Sequence, residues 1–231
     1  MRKSYLPAFV TACFAMGAVP AQALTLGQTD DFEDGTTQGW VVNLLGMGGS
    51  HPAPPQNVSD GGPSGAVDNF LLLTSVGGTV PGGRMTVING TQWAGNYTTE
   101  GVTGINMSLK NFGDTDLHVR LLFERVGDTG PTDVAMSDAF FLAAGSDWTN
   151  AQFSVSAADL TTLLGTAENA LDATVIRIFS NEDPLFPPDP IAAQLGVDDI
   201  NAVPEPGTMA ATLVGLAFLA RRRRAASKRV S

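Results

Sequence analysis

Residues 116–124, Asp-Leu-His-Val-Arg-Leu-Leu-Phe-Glu, alternate with a period of two. Leu117, Val119, Leu121 and Phe123 fall on one face, with His118, Arg120 and Glu124 on the other. Successive side chains of a strand point to opposite sides, so this segment reads as a half-buried strand and not as a helix. The same period recurs at 105–110, where Ile105, Met107 and Leu109 oppose Asn106, Ser108 and Lys110. At 174–180, Val175 and Phe179 oppose Ile176 and Ile178. Further strands are expected at 40–45, 66–74, 84–88, 139–143, 152–155 and 196–200. Turn chemistry separates them: Asp34-Gly35, Asp60-Gly61-Gly62-Pro63, Asn89-Gly90 and Gly127-Asp128-Thr129-Gly130. Only 156–165 suggests a helical turn, with Ser156 as its cap and Asp159 reaching back. Nine or so short strands predict an all-β fold, two packed antiparallel sheets in one β-sandwich spanning 24–202. The 231 residues suffice for one such domain, and their 43% hydrophobic content for its core.

The segments outside that domain carry different signals. Residues 1–23 have a basic start, an apolar middle and a small-residue end, the layout of a secretory signal peptide. Ala21-Gln22-Ala23 is an A-x-A cleavage site, so Ala21 and Ala23 are the expected recognition residues and Leu24 the new N-terminus. Cys13 is the only cysteine and lies within this segment, so the body has neither disulfides nor thiol chemistry. Val10-Thr11-Ala12-Cys13 offers an alternative, a bacterial lipobox in which Cys13 becomes a lipidated terminus.

Charge is segregated along the chain. Between Asp30 and Asp199 lie 22 acidic residues and only five basic ones, Arg84, Lys110, Arg120, Arg125 and Arg177. A body this acidic is repelled by nucleic acid and by anionic lipid. It suits cation binding, solubility outside a cell, or both.

The C-terminal segment, 203–231, orders three parts: Val203-Pro204-Glu205-Pro206, an apolar run and Arg221-Arg222-Arg223-Arg224. The run from Gly207 to Ala220 has 14 residues, which as a helix at ~1.5 Å per residue reaches roughly 21 Å. That is short of a hydrocarbon core ~30 Å thick, although arginine can snorkel and the bilayer can thin. The arginines would remain on the cytoplasmic side and the body on the other, in agreement with the signal peptide. These three parts resemble the PEP-CTERM sorting signal of Gram-negative bacteria. The resemblance implies recognition by exosortase, a membrane-embedded cysteine transpeptidase. It implies transient residence in the inner membrane through a short transmembrane helix, cleavage near Pro204, Glu205 and Pro206, and transfer to the surface or extracellular matrix. Such a tail is a removable label, as a GPI signal is; a retained single-pass anchor is the alternative. Residues 225–231 extend beyond the arginines, where many such tails stop.

The ends of the body carry a second resemblance. Asp-Asp-Phe-Glu-Asp-Gly-Thr-Thr-Gln-Gly-Trp at 30–40 and Leu-Gly-Val-Asp-Asp-Ile-Asn-Ala-Val at 195–203 are similar to the ends of jelly-roll modules of carbohydrate-binding and other extracellular proteins. In a jelly roll the first and last strands are neighbours, so Asp31, Glu33, Asp34, Asp198 and Asp199 are expected to converge. Hard oxygen donors without His or Cys favour Ca²⁺ over zinc. The resemblance implies a structural calcium held by Glu33 with Asp198 or Asp199, and Asp31 completes the candidate set. The alternative is a solvated acidic rim. The Pro-rich acidic stretch 181–190 is expected to be an exposed loop.

Sugar recognition needs flat rings on an exposed face. Trp93 and Tyr97, in the polar, Gly-bounded stretch 90–101, are the expected carbohydrate-binding pair, whereas Trp40 and Trp148 lead into strands and are expected in the core. Catalytic signatures are absent from the sequence: no G-x-S-x-G, no H-E-x-x-H, no P-loop and no G-x-G-x-x-G. His51 and His118 are the only histidines. A glycosidase carboxylate pair is not singled out. The expected role is a non-catalytic component of the cell surface or exopolysaccharide matrix. A carbohydrate-binding module for an extracellular polysaccharide is the alternative, and a glycoside hydrolase the third.

Overall fold

The computed structural model describes residues 24–42, 53–79 and 82–204. The cleavage residues Ala21 and Ala23, Cys13, His51, and the tail residues Glu205, Pro206 and Arg221 to Arg224 with the expected C-terminal helix lie outside the described residues. So does the second half of the expected strand at 40–45; within its first half, Val41 makes a single bridge to Ile88.

The regular structure of the described residues is almost all strand. In order these are β1 (Thr29–Asp30), β2 (Gln56–Val58), β3 (Phe70–Val76), β4 (Thr86–Asn89), β5 (Gly95–Asn96), β6 (Gly104–Asn111) and β7 (Leu117–Gly127). There follow β8 (Gly130–Met136), β9 (Phe140–Leu142), β10 (Thr149–Ser154), β11 (Thr161–Leu164), β12 (Asp172–Ala173), β13 (Val175–Ser180) and β14 (Ala192–Val203). One sheet runs β10-β6-β14-β3-β2, with β1 also on β14. The second runs β11-β8-β7-β13-β4, with β9 also on β7. The short pair β12-β5 stands apart from both. All pairings are antiparallel. The expected two-sheet sandwich is what the chain forms.

The core lies where the alternation places it. Ile105, Met107 and Leu109 of the first sheet face Leu117, Val119, Leu121 and Phe123 of the second, joined by Ile176 and Ile178. The opposite parity on the second sheet is not simply polar. Leu122, Val134, Met136 and Phe179 form a smaller buried cluster on its far face. There Arg120 is buried and donates to the carbonyls of Asn181, Glu182 and Ser137, which ties the 181–190 loop to the sheet. Glu124, also buried, pairs with Arg177 at 2.7 Å.

Residues 156–165 depart from expectation. Ser156 Oγ does donate to Asp159 Oδ2 at 2.9 Å, but the pair closes a turn, and the chain continues as β11. Two β-branched residues, Thr161 and Thr162, favour extension there. The one short helix among the described residues is Ala167–Ala170, capped by Thr166.

Candidate functional site

Parity decides which rings face outward. On β6 the inward residues are odd-numbered, so Phe112, just past its end, points out; on β10, Ala151 and Phe153 point in and Trp148 points out. On β3, Leu71 and Leu73 point in and Phe70 out. The three rings meet on the outer face of the first sheet. Phe70 stacks on Phe112 at 5.5 Å, and Trp148 stands edge-on to Phe70 at 5.3 Å and to Phe112 at 6.3 Å. Gly196 of β14 lies beneath them: a Cβ there would come within 2.8 Å of ring atoms of both Phe112 and Trp148. Trp148 Nε1 donates to the Gly61 carbonyl at 2.9 Å, which fixes the plane of the indole. Phe112 is 41% exposed and Trp148 half-buried, so both rings offer area to solvent. Lys110 Nζ sits 5.0 Å from the Phe112 centroid and pairs with Asp147 at 2.9 Å.

Beside the rings lies a depression of about 410 Å³, lined by Asn106, Ser108, Asn150, Gln152 and Asp199, with Met107 and Ala151 between them. Ser108 Oγ donates to Asn150 Oδ1 at 3.3 Å. Asn106 Oδ1 is buried without a hydrogen-bond donor among the described residues. A row of amides and hydroxyls next to flat rings can hold a hydroxyl-rich ring compound by stacking and by directional hydrogen bonds.

The acidic ends converge next to this face. Strand β14 pairs with β3 up to Val197↔Leu71, then with β1 from Ile200↔Asp30. At the changeover the ladder of β14 with β6 is irregular between Asp198 and Asn201, and Asp199 takes a left-handed φ of 50°. The first and last strands are therefore neighbours, as the jelly-roll resemblance implies. Asp31 and Glu33 follow β1 directly, and Asp68 precedes β3. The 31–38 loop is stitched to the sheet by Asn57, which donates to the carbonyls of Phe32 and Thr36, and by Asn69, whose N–H donates to Glu33 Oε1 at 2.8 Å.

Electrostatics register the convergence. Asp198 is 1% exposed, and its carboxyl is pushed up to about 8, by burial first and then by Asp199, Asp68 and Glu33. Asp199 is also raised, by burial and by Asp68, Asp31 and Glu33. The only donor to Asp198 among the described residues is the Asp199 N–H at 2.8 Å. Of the expected set, Asp34 stands apart: Thr36 donates to it twice and holds its carboxyl below the usual range. As placed, no three acidic or histidine side chains among the described residues stand at metal-ligand spacing.

Trp93 and Tyr97 require a correction. Both are fully buried, and neither offers a face to solvent. Trp93 Nε1 and Trp40 Nε1 converge on Asp30 Oδ2 at 2.7 and 2.8 Å, and Tyr97 Oη donates to the Trp93 carbonyl. Tyr97 stands edge-on to Phe123 at 5.1 Å. Burial raises the Asp30 carboxyl, against the opposing pull of the two indole donors. The polar stretch 90–101 thus wraps two anchors of the core, and Trp148, expected in the core, is the tryptophan on the surface. Asp68, Phe70 and Phe112 are outside the candidates of the sequence; strand parity signals the two rings, and no local pattern signals Asp68.

Comparison with known proteins agrees with both ends of this description. Residues 202–224 match the PEP-CTERM protein-sorting motif. That motif marks an exported, surface-directed protein. Of its residues, Pro204 lies among those described, directly after β14. No curated protein sequence matches the chain. Among solved structures, the solution structure of CtCBM11 is similar, with a TM-score of 0.50, 13% identity and coverage of 80% of this chain and 98% of that one. An exo-beta-agarase matches with a TM-score of 0.52, at 11% identity over 79% of this chain and 26% of its own. A family 11 carbohydrate-binding module from Clostridium thermocellum in complex with a beta-1,3-1,4-mixed-linked tetrasaccharide gives 0.48, at 13% identity over 79% and 99%. At such identities the first two likenesses establish the fold alone, a jelly-roll sandwich.

Proposed function

We propose that the protein is a non-catalytic, surface-sorted component of the cell envelope or exopolysaccharide matrix that holds a neutral polysaccharide on the outer face of its first sheet. The observation that carries this reading is the Trp148/Phe112 pair, partly exposed, fixed in plane and set beside a depression of amides and hydroxyls. Carbohydrate rings present C–H faces that stack on such aromatics, and their hydroxyls exchange hydrogen bonds with Asn106, Asn150 and Gln152. The carboxylates along the same face disfavour an anionic polymer. In this reading an exosortase-type transpeptidase acts on the tail, and the inner membrane holds the protein only before that step.

Calcium fits the acidic corner in one respect: Asp198 is a buried carboxylate with no basic partner among the described residues. Glu33, Asp68, Asp198 and Asp199 would hold the ion, with Asp31 at the rim, after rotation of the exposed side chains. A bound Ca²⁺ would supply the missing counter-charge and clamp the two ends of the domain.

The reading is tested by affinity electrophoresis of the full chain through mixed-linked β-1,3-1,4-glucan, xylan and agarose. Retardation by one of these, abolished by Trp148→Ala and kept by Trp40→Phe, supports it. Retardation that Trp148→Ala leaves intact sinks it.

A further inference from the structure

A second hollow, of about 510 Å³, lies at the side of the sandwich, where edge strand β10 runs past β9 of the opposite sheet. Its walls are Asp138, Phe140, Gln152, Ser154 and Asp159, with residues between them. Gln152 lines this hollow and the depression beside Trp148 alike, so the two are joined across a single exposed side chain of the edge strand. From Asn150 to Ser154 the strand advances four residues, roughly 13 Å at ~3.3 Å each.

The chemistry of the hollow matches that of the first face. Phe140 packs at the margin of the main core, edge-on to Phe153 with ring centroids 6.4 Å apart, and its partly exposed edge lines the hollow. Ser154 Oγ and Ser156 Oγ both donate to Asp159 Oδ2, at 2.6 and 2.9 Å, so this carboxylate is held in one orientation. Its Oδ1 has no donor among the described residues, and the exposed Asp138 lines the same hollow. A fixed carboxylate accepts well from vicinal hydroxyls, an amide can donate and accept, and the edge of a packed ring offers an apolar contact.

We propose that this hollow is a second glycan subsite, contiguous with the first, so that one neutral polysaccharide chain crosses the edge of the sheet over Gln152 and seats a further sugar between Phe140 and Asp159. The proposal rests on the glycan reading of the Trp148 face. It makes the protein a reader of chain length, with the distal sugars bound only when the chain extends beyond the first depression.

The test is isothermal titration of the full chain with disaccharide to hexasaccharide ladders of mixed-linked β-1,3-1,4-glucan, xylan and agarose. The expected result is affinity that climbs in two steps with length. Phe140→Ser should lower hexasaccharide affinity about tenfold, a loss of about 1.4 kcal/mol, and leave the disaccharide unchanged. Asp138→Asn, at an exposed residue whose charge also faces the buried Arg120, should act in the same direction. If hexasaccharide affinity depends on Trp148 but both variants match the wild type, the second subsite is overturned and the first face stands. If no ladder binds, both fall.

Discussion

Asp198→Asn should stabilise the metal-free protein at neutral pH and leave it unchanged in acid. The carboxyl of Asp198 sits near 8 in the folded chain, against about 3.9 for an unfolded aspartate. A carboxyl raised in this way favours the folded state below the unfolded value, and that contribution is lost as pH rises from about 4 toward 8. Each pH unit between is about 1.4 kcal/mol, so by pH 7 holding this carboxyl protonated, while the unfolded chain ionises, weakens the fold by on the order of 4 kcal/mol. Asparagine does not titrate, so the unfolded chain gains nothing by ionising there, and it keeps an oxygen that accepts from the Asp199 N–H. For a domain of this size, 1 kcal/mol moves the melting midpoint by roughly 2–4 °C, so the variant should melt on the order of 10 °C higher at pH 7. The assay is thermal denaturation of both proteins in EDTA, from pH 4 to pH 8. Equal midpoints at pH 7, or an equal gain at pH 4, would refute the reasoning.

Other consequences follow from the same geometry. Millimolar Ca²⁺ should raise the wild-type midpoint, by about 2.7 kcal/mol at a hundredfold excess over its dissociation constant, and Glu33→Ala with Asp199→Ala should erase the rise in the same melt. Asp30→Ala leaves two buried indole N–H groups without an acceptor and should destabilise by about 3 kcal/mol in urea unfolding, whereas Asp30→Asn should lose less than about 1 kcal/mol. Gly196→Ala drives a methyl into Phe112 and Trp148 and should cost about 1–2 kcal/mol of stability, together with glycan affinity in affinity electrophoresis.

The strands with a clean period of two are legible because that signal is local, whereas β2, β5, β8, β11 and β12 lie outside every expected strand. Residues 105–110 and 117–123 put the same side chains inward in the structure as in the alternation, and Val175 and Phe179 face away from Ile176 and Ile178 as expected. The meeting of the two acidic ends was legible only through the jelly-roll resemblance, since nothing local says that β14 changes partner from β3 to β1. The aromatic assignment failed for a reason of the same kind. Polar neighbours make 90–101 look exposed, but a buried Asp30, 63 positions before Trp93, accepts from its indole, and the Tyr97 hydroxyl donates to the Trp93 carbonyl, so both rings lie inward. Trp148 was misplaced although parity with Ala151 and Phe153 already set it outward. Ser156 and Asp159 have capping-box spacing, which predicts a helical turn at 156–165, and the same side-chain bond instead closes a simple turn before β11.

Binding of the full chain to soluble mixed-linked β-1,3-1,4-glucan, xylan and agarose, measured side by side for the wild type, Trp148→Ala and Trp93→Phe, tests the central claim most directly. One glycan should bind, Trp148→Ala should abolish binding in protein that remains folded, and Trp93→Phe should lower the midpoint but keep the affinity of the folded protein. Binding that survives Trp148→Ala and is lost in folded Trp93→Phe would contradict it.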